Sequence, residues 1–255
     1  MTNRAAVARP ASPLVIAHRG ASGALPENTL PAYERAIAER ADMIEIDLHR
    51  TRDGELVVTH DASLERLGGR GEVGDCSVAE VRALDAGGGE PVPTLGEVLD
   101  RFGPRIPFNL EFKWGHRGDY AGIEAETLAA VASRGLLERT LFSSFHDAIL
   151  ARLRALSPGA RTALLLSARN PQRGPERARA LGAEAVNPSS VALRPELVRA
   201  AHGEGLAVYV YTVDEPADMR RLLDWGVDGL FTNFPARMRR LLDASVREFP
   251  PTESK

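Results

Sequence analysis

The sequence holds a single cysteine, Cys76, in 255 residues. An internal disulfide is therefore excluded, and so is a metal cluster held by several thiolates. Lysine is nearly as scarce: of 32 Lys and Arg residues, only Lys113 and Lys255 are lysine. The formal net charge is −3, which gives no basic excess for general nucleic-acid binding. No apolar run approaches the ~18 residues that a membrane-spanning helix needs. The opening MTNRAAVARPASP has no apolar stretch of the kind that drives secretion. These absences predict a cytoplasmic protein with no nucleic-acid partner and no stable membrane insertion. They leave its oligomeric state open.

What is present is ordinary globular material, 44% hydrophobic and 26% charged, long enough for a large core. Short apolar runs alternate with helical spacing from end to end. The candidate strands are LVIA at 14–17, MIEIDL at 43–48, PFNLEF at 107–112, TLFSS at 140–144, TALLL at 162–166, AEAV at 183–186, AVYVYT at 207–212 and DGLFT at 228–232. Between them lie segments such as LPAYERAIAER and EPADMRRLLDWG, with apolar residues near every 3.6 positions. Gly135, Gly205 and Gly226 stand where left-handed C-caps would. Eight strands, each followed by a helix, predict an α/β fold of the (β/α)₈ TIM-barrel type as a single domain over 1–255. The exception follows strand two. TRDGELVVTHD reads as a turn and a further short strand, and the glycine-rich stretch 61–93 reads as an insertion on the barrel. The end, 247–255, is expected to be a disordered tail.

In such a barrel the site lies at the C-terminal ends of the strands, and the unusual polar residues fall there. His18 and Arg19 close strand one, Glu45 and Asp47 lie in strand two, and Glu111 and Lys113 close strand three. Residues two apart in a strand share a face. Glu45 and Asp47 therefore point the same way, as do Asn109, Glu111 and Lys113, with the apolar set between them packing on the helices. Each pair alone reads more simply as a solvated face or a surface ion pair; their coincidence at one end of adjacent strands favours a site. Three carboxylates converging in a confined space need protons or a cation, and a hard divalent ion, Mg²⁺ or Ca²⁺, matches oxygen donors. In a chain that otherwise relies on arginine, Lys113 suggests a requirement for a compact point charge. His60, after the extra strand, is close enough in sequence to strand two to reach the same mouth. Cations to hold an anion and imidazoles to move protons suit phosphoryl chemistry. His49 faces inward beyond the expected strand, while His116, His146 and His202 read as loop or helix-surface residues.

The stretch HRGASGALPENTLPAYERAIAERADMIEIDLHRTRDGELVVTHD closely resembles the opening of the glycerophosphodiester phosphodiesterase family. The likeness continues through LDAGGGEPVPTLGEVLD, NLEFK, VYVYTVDEP and GVDGLFTNFP. It implies a (β/α)₈ barrel with a small insertion after strand two, matching 61–93. It also implies Glu45, Asp47 and Glu111 as ligands of one divalent cation, His18 and His60 as the catalytic pair, and Arg19 and Lys113 as phosphate contacts. Pro26, Glu27 and Asn28 match the loop before the first helix, where Asn28 is expected to cap the helix or serve structurally and Glu27 to orient neighbouring groups. Two positions depart from the usual pattern: Tyr211 stands where tryptophan is common, and Asn233 where aspartate is. Tyr211 can still form an aromatic wall for the substrate. The implied activity is metal-dependent hydrolysis of a glycerophosphodiester to glycerol 3-phosphate and an alcohol. Two alternatives remain at this point: cleavage of a bulkier lipid phosphodiester by a lysophospholipase D-like route, or a barrel that binds metal and phosphate without turnover.

Overall fold

The computed structural model describes residues 10–169 and 173–248. Eight parallel strands close on themselves: β1 (Leu14–His18), β2 (Met43–Arg50), β4 (Phe108–Phe112), β5 (Thr140–Ser144), β6 (Arg161–Leu166), β7 (Ala185–Pro188), β8 (Ala207–Val210) and β9 (Gly229–Thr232). β1 pairs with both β2 and β9, which shuts the barrel. The extra strand β3 (Leu56–Val58) runs antiparallel along the end of β2 outside the ring. The expected TIM barrel is therefore the fold found. The sixth expected strand, 183–186, is displaced to Ala185–Pro188 (β7), because pairing with β6 begins at Ala163 and Ala185.

Strand alternation divides the chain between two cores. One residue set faces the helices, with Val15, Ala17, Ile44, Ile46, Leu110, Phe112 and Val208 among its members. The other fills the barrel as a layer of Ile16, Met43, Leu141, Ala163, Ala185, Ala207, Tyr209 and Phe231. Alanines on neighbouring strands β6, β7 and β8 leave room for the larger chains opposite. This inner layer determines what comes next. Two residues beyond Ile16, Met43, Tyr209 and Phe231 stand His18, Glu45, Tyr211 and Asn233, so the pleat carries each of these to the mouth.

Helices α1 (Leu30–Ala38), α3 (Leu95–Phe102), α4 (Ile123–Ala132), α5 (Asp147–Leu156), α6 (Gly174–Ala180), α7 (Pro195–Gly203), α8 (Pro216–Asp224) and α9 (Pro235–Glu248) follow the barrel strands. Gly135, Gly205 and Gly226, just past three of them, are left-handed as expected, with φ of 67°, 72° and 82°. Arg247 and Glu248, assigned to the tail by sequence, still belong to α9, and 249–255 lie outside the described residues. Among the described residues, no helix is long and apolar enough to cross a membrane.

Residues 61–93 are ordered. They contain the short helix α2 (Val78–Arg82), held at its start by a capping box of Ser77 and Glu80. Leu64, Val73, Val81 and Val92 pack with Val57 of β3 into a small core of their own. The insertion is thereby fixed over one side of the mouth.

Candidate active site

Glu45, Asp47 and Glu111 meet at the barrel mouth, all buried, with one oxygen of each within 4.8 Å of the others. Glu45 and Asp47 share the inner face of β2, and Asp47 is the register partner of Glu111 on β4. Two cations enter this cluster. Arg19 Nε lies 3.1 Å from Asp47 Oδ2, and Lys113 Nζ lies 2.9 Å from Asp47 Oδ1 and also donates to Glu111 Oε1. The two contacts to Asp47 are at ion-pair distance but off the hydrogen-bonding angle, so Asp47 Oδ1 has no donor, and neither does Glu45 Oε1. Burial pushes the Glu45 carboxyl well above its usual range, helped by repulsion from Asp47 and Glu111. Burial acts the same way on Asp47, but Lys113 and Arg19 outweigh it and hold that group well below its usual range. Lys113 is raised against its own burial by Asp47 and Glu111 and stays charged. Buried carboxylate oxygens without donors, packed this closely, fit a hard divalent cation with oxygen ligands.

The turn after β1 delivers Arg19. Its backbone is left-handed (φ 56°), an uncommon conformation for a long side chain. Its N–H donates to Glu45 Oε2 at 3.0 Å, tying the turn to the carboxylates. Gly20 follows because a Cβ there would meet the backbone of Ala32 in α1 at 2.8 Å. Glu27 orients Arg19 as expected, accepting from Nη1 at 2.8 Å. Glu27 also pairs with Arg66 of the insertion, and Arg66 Nε reaches Asp61 at 3.1 Å. Asn28 does not cap α1. The cap is Thr29, whose hydroxyl accepts from Ala32 N–H. Asn28 is left-handed (φ 58°) and donates to Asp47 Oδ2 at 2.9 Å while accepting from the Tyr33 hydroxyl.

Both expected imidazoles are at the mouth. His18 Nδ1 faces Asn233 Oδ1 at 2.8 Å, and burial, followed by the charge of Arg19, lowers its pKa to about 4. His60 Nδ1 faces Asp61 Oδ1 at 2.7 Å. Burial and Lys113 lower His60 as well. His49 is not in the mouth. β2 extends to Arg50 through pairing with β3, so His49 is buried behind His60, with Nε2 3.2 Å from the His60 carbonyl and Nδ1 2.8 Å from the Tyr120 hydroxyl. A neutral imidazole fits both contacts: Nε2–H donates to the carbonyl and Nδ1 accepts from the phenol. Of the others, His202 pairs with Asp228, His116 with Glu72, and His146 stacks on Trp114 with ring centroids 3.4 Å apart.

A cavity of about 230 Å³ opens among these groups. One side presents His18, Arg19, Glu45, His60, Glu111 and Lys113; the other presents Phe145, Leu165, Tyr211 and Phe231. Tyr211 thus forms part of an aromatic wall, its hydroxyl donating to Leu166 O at 3.0 Å and its ring meeting Phe145 edge-on. All eight residues singled out by sequence come to this mouth, Asp47 lying beneath its surface. Sequence reasoning did not assign roles to Asp61, Arg66, Ser22 or Asp214. The adjacency of Asp61 to His60 was the one available signal.

Fold and site together define a (β/α)₈-barrel enzyme with its polar centre where that fold places active sites. Residues 18–237 match the glycerophosphoryl diester phosphodiesterase family. A glycerophosphodiester phosphodiesterase of Bacillus subtilis (strain 168) is 39% identical over 87% of this chain and 84% of its own length. A crystallographic chain from Silicibacter pomeroyi DSS-3 superimposes with a TM-score of 0.85 at 32% identity, covering 92% of this chain and 95% of that one. A phosphodiesterase of Oleispira antarctica, solved with its product sn-glycerol-3-phosphate, gives a TM-score of 0.79 at 30% identity, covering 91% and 97%. The chain belongs to the glycerophosphoryl diester phosphodiesterase family.

Proposed function

We propose that this enzyme hydrolyses glycerophosphodiesters to sn-glycerol 3-phosphate and an alcohol at the barrel mouth. The observation that carries this reading is the meeting of three buried carboxylates, two cations and two imidazoles around one cavity that also has an apolar lining. Glu45, Asp47 and Glu111 would hold one divalent cation, Mg²⁺ or Ca²⁺. When bound, such an ion supplies positive charge for the phosphoryl oxygens. Arg19 and Lys113 grip the same phosphate and neutralise the charge that grows on it in the transition state.

Proton movement falls to His18 and His60. His18, neutral at physiological pH because it is buried, is suited to take a proton from the nucleophile. His60 would give a proton to the leaving alkoxide, the facing Asp61 carboxylate opposing the burial and the Lys113 charge that lower its pKa. The nucleophile is the 2-hydroxyl of the glycerol moiety. Being attached to the substrate, it has a high effective concentration at phosphorus, and a cyclic phosphate then precedes hydrolysis.

The apolar wall also favours a second reading, in which the glycerol moiety that keeps the phosphate carries an acyl chain and the head-group alcohol leaves. Trp114, on the loop after β4, and Val191, on the loop after β7, are exposed apolar residues at this end of the barrel. The test is an assay of purified protein on glycerophosphocholine, glycerophosphoethanolamine and lysophosphatidylcholine, with and without chelator. The main reading expects chelator-sensitive release of sn-glycerol 3-phosphate from the first two. Turnover of lysophosphatidylcholine alone selects the second. Turnover of none rejects both.

A further inference from the structure

The junction between β9 and α9 has no role in the chemistry above, yet a chain of hydrogen bonds runs from it to His18. Asp214, in the loop after β8, anchors it. Its Oδ1 accepts from Asn233 N–H at 2.8 Å and from the Thr232 hydroxyl at 3.1 Å. Its Oδ2 accepts from Asn233 Nδ2 at 2.7 Å. The other end of the same amide, Asn233 Oδ1, faces His18 Nδ1 at 2.8 Å. Ser22 Oγ lies 2.8 Å from that oxygen and 2.7 Å from the His18 carbonyl oxygen.

Donor and acceptor logic fixes the direction of this chain. A carboxylate has no hydrogen to give, so the amide end facing Asp214 must be the NH₂. The amide therefore cannot be turned over, and its oxygen faces the imidazole. An amide oxygen only accepts, so His18 Nδ1 must carry the hydrogen. In the neutral ring the lone pair is then on Nε2. We propose that Asn233 and Asp214 are positioning residues that lock His18 in the Nδ1–H form, leaving Nε2 as its only proton-accepting atom.

With Asp214 as its neighbour in this chain, an amide suits this seat better than a carboxylate. A carboxylate at 233 would face Asp214 without a hydrogen between them, and it would draw positive charge onto the imidazole. The neutral amide oxygen fixes the ring while leaving it uncharged and ready to accept a proton. The proposal rests on His18 acting in proton transfer, so its test reads the tautomer separately from turnover.

Asp214→Asn is isosteric and keeps an oxygen for Asn233 N–H and the Thr232 hydroxyl. It places NH₂ against NH₂ at the other contact, so the Asn233 amide turns over and offers its NH₂ to His18. Proton–nitrogen spectra of ¹⁵N-histidine-labelled protein near neutral pH give the tautomer, with the His18 signals identified by their loss in His18→Gln. Wild type should show Nδ1–H alone. Asp214→Asn should show a large Nε2–H population, with kcat reduced roughly 10²-fold, the scale of a lost general base, and KM within about threefold of wild type. Asn233→Leu, which removes the acceptor, supplies the same two readouts if Asp214→Asn fails to fold. A wild-type ring protonated on Nε2, a variant that moves neither quantity, or one that moves only one of them overturns the proposal. Absence of phosphodiester turnover in wild type would reject the functional reading instead, and the spectra would still decide the tautomer.

Discussion

Lys113 Nζ lies 2.9 Å from Asp47 Oδ1 while also donating to Glu111, so one ammonium bridges carboxylates from two strands. On the proposed reading it would also carry positive charge toward the substrate phosphate. Lys113→Met keeps the stem and deletes the charge. We expect kcat/KM to fall roughly 10²-fold, the scale for loss of one transition-state donor, with metal affinity unchanged or slightly tighter. Steady-state kinetics beside cation titrations checks both. A large loss of metal binding would mean that Lys113 serves mainly to order Glu111.

His18→Ala and His60→Ala should each lower kcat by roughly 10²-fold or more, the usual scale for proton-transfer groups. His18 is the more buried of the two and titrates near 4, so it supplies the acid limb of the pH profile: kcat/KM should fall as pH drops toward 4, where the ring gains its proton. Loss of the proton on His60, whose pKa burial and Lys113 lower, should give the alkaline limb, falling below the ordinary imidazole range. Wild-type turnover by His60→Ala would make that residue structural.

His49 gives the pH dependence of stability a definite sign. Burial lowers its pKa to about 4, below the ordinary 6.5. As pH falls from 6.5, the unfolded chain takes up a proton that the folded chain refuses, so stability is complete above 6.5 and is lost on descent toward 4. Such a shift corresponds to a loss of roughly 3 kcal/mol at most. Urea unfolding of wild type and His49→Gln across this range measures it. The variant should show the shallower decline, and parallel curves would show that His49 does not contribute.

If the 2-hydroxyl is the nucleophile, a substrate lacking it has nothing in place to attack phosphorus. Its phosphate can still sit between Arg19 and Lys113. The 2-deoxy analogue of glycerophosphocholine should therefore inhibit competitively and resist cleavage. The intact substrate should pass through a transient 1,2-cyclic glycerophosphate, visible by phosphorus NMR. Comparable cleavage of the deoxy compound rejects the internal route.

The barrel and most of its mouth were legible because strand alternation is a local property. The i, i+2 spacing of Glu45 with Asp47, and of Asn109, Glu111 and Lys113, places them on one face whatever else the chain does. The supporting contacts were not legible in this way. Asn233 meets His18 across 215 positions, and Arg66 meets Glu27 across 39. Sequence marked Asn233 only as a departure from a family pattern, because its contacts are set by Asp214, on the loop after the neighbouring strand β8, and by His18, which barrel closure brings to it. Asn28 looked like a helix cap because capping is judged from neighbours. The cap is instead one residue later, at Thr29, freeing the Asn28 amide to reach Asp47. The shift of β7 has the same origin, since register is set by β6 and not by the segment itself.

The central claim is that Glu45, Asp47 and Glu111 hold a catalytic divalent cation for glycerophosphodiester hydrolysis. Its most direct test is calorimetric titration of Mg²⁺ and Ca²⁺ into chelator-stripped wild type and Glu45→Gln, with sn-glycerol 3-phosphate release measured at each point. The account predicts one site in wild type, activity that rises with its occupancy, and much weaker binding in a folded Glu45→Gln. Full activity in the stripped enzyme, or equal affinity and turnover in Glu45→Gln at limiting metal, would contradict it.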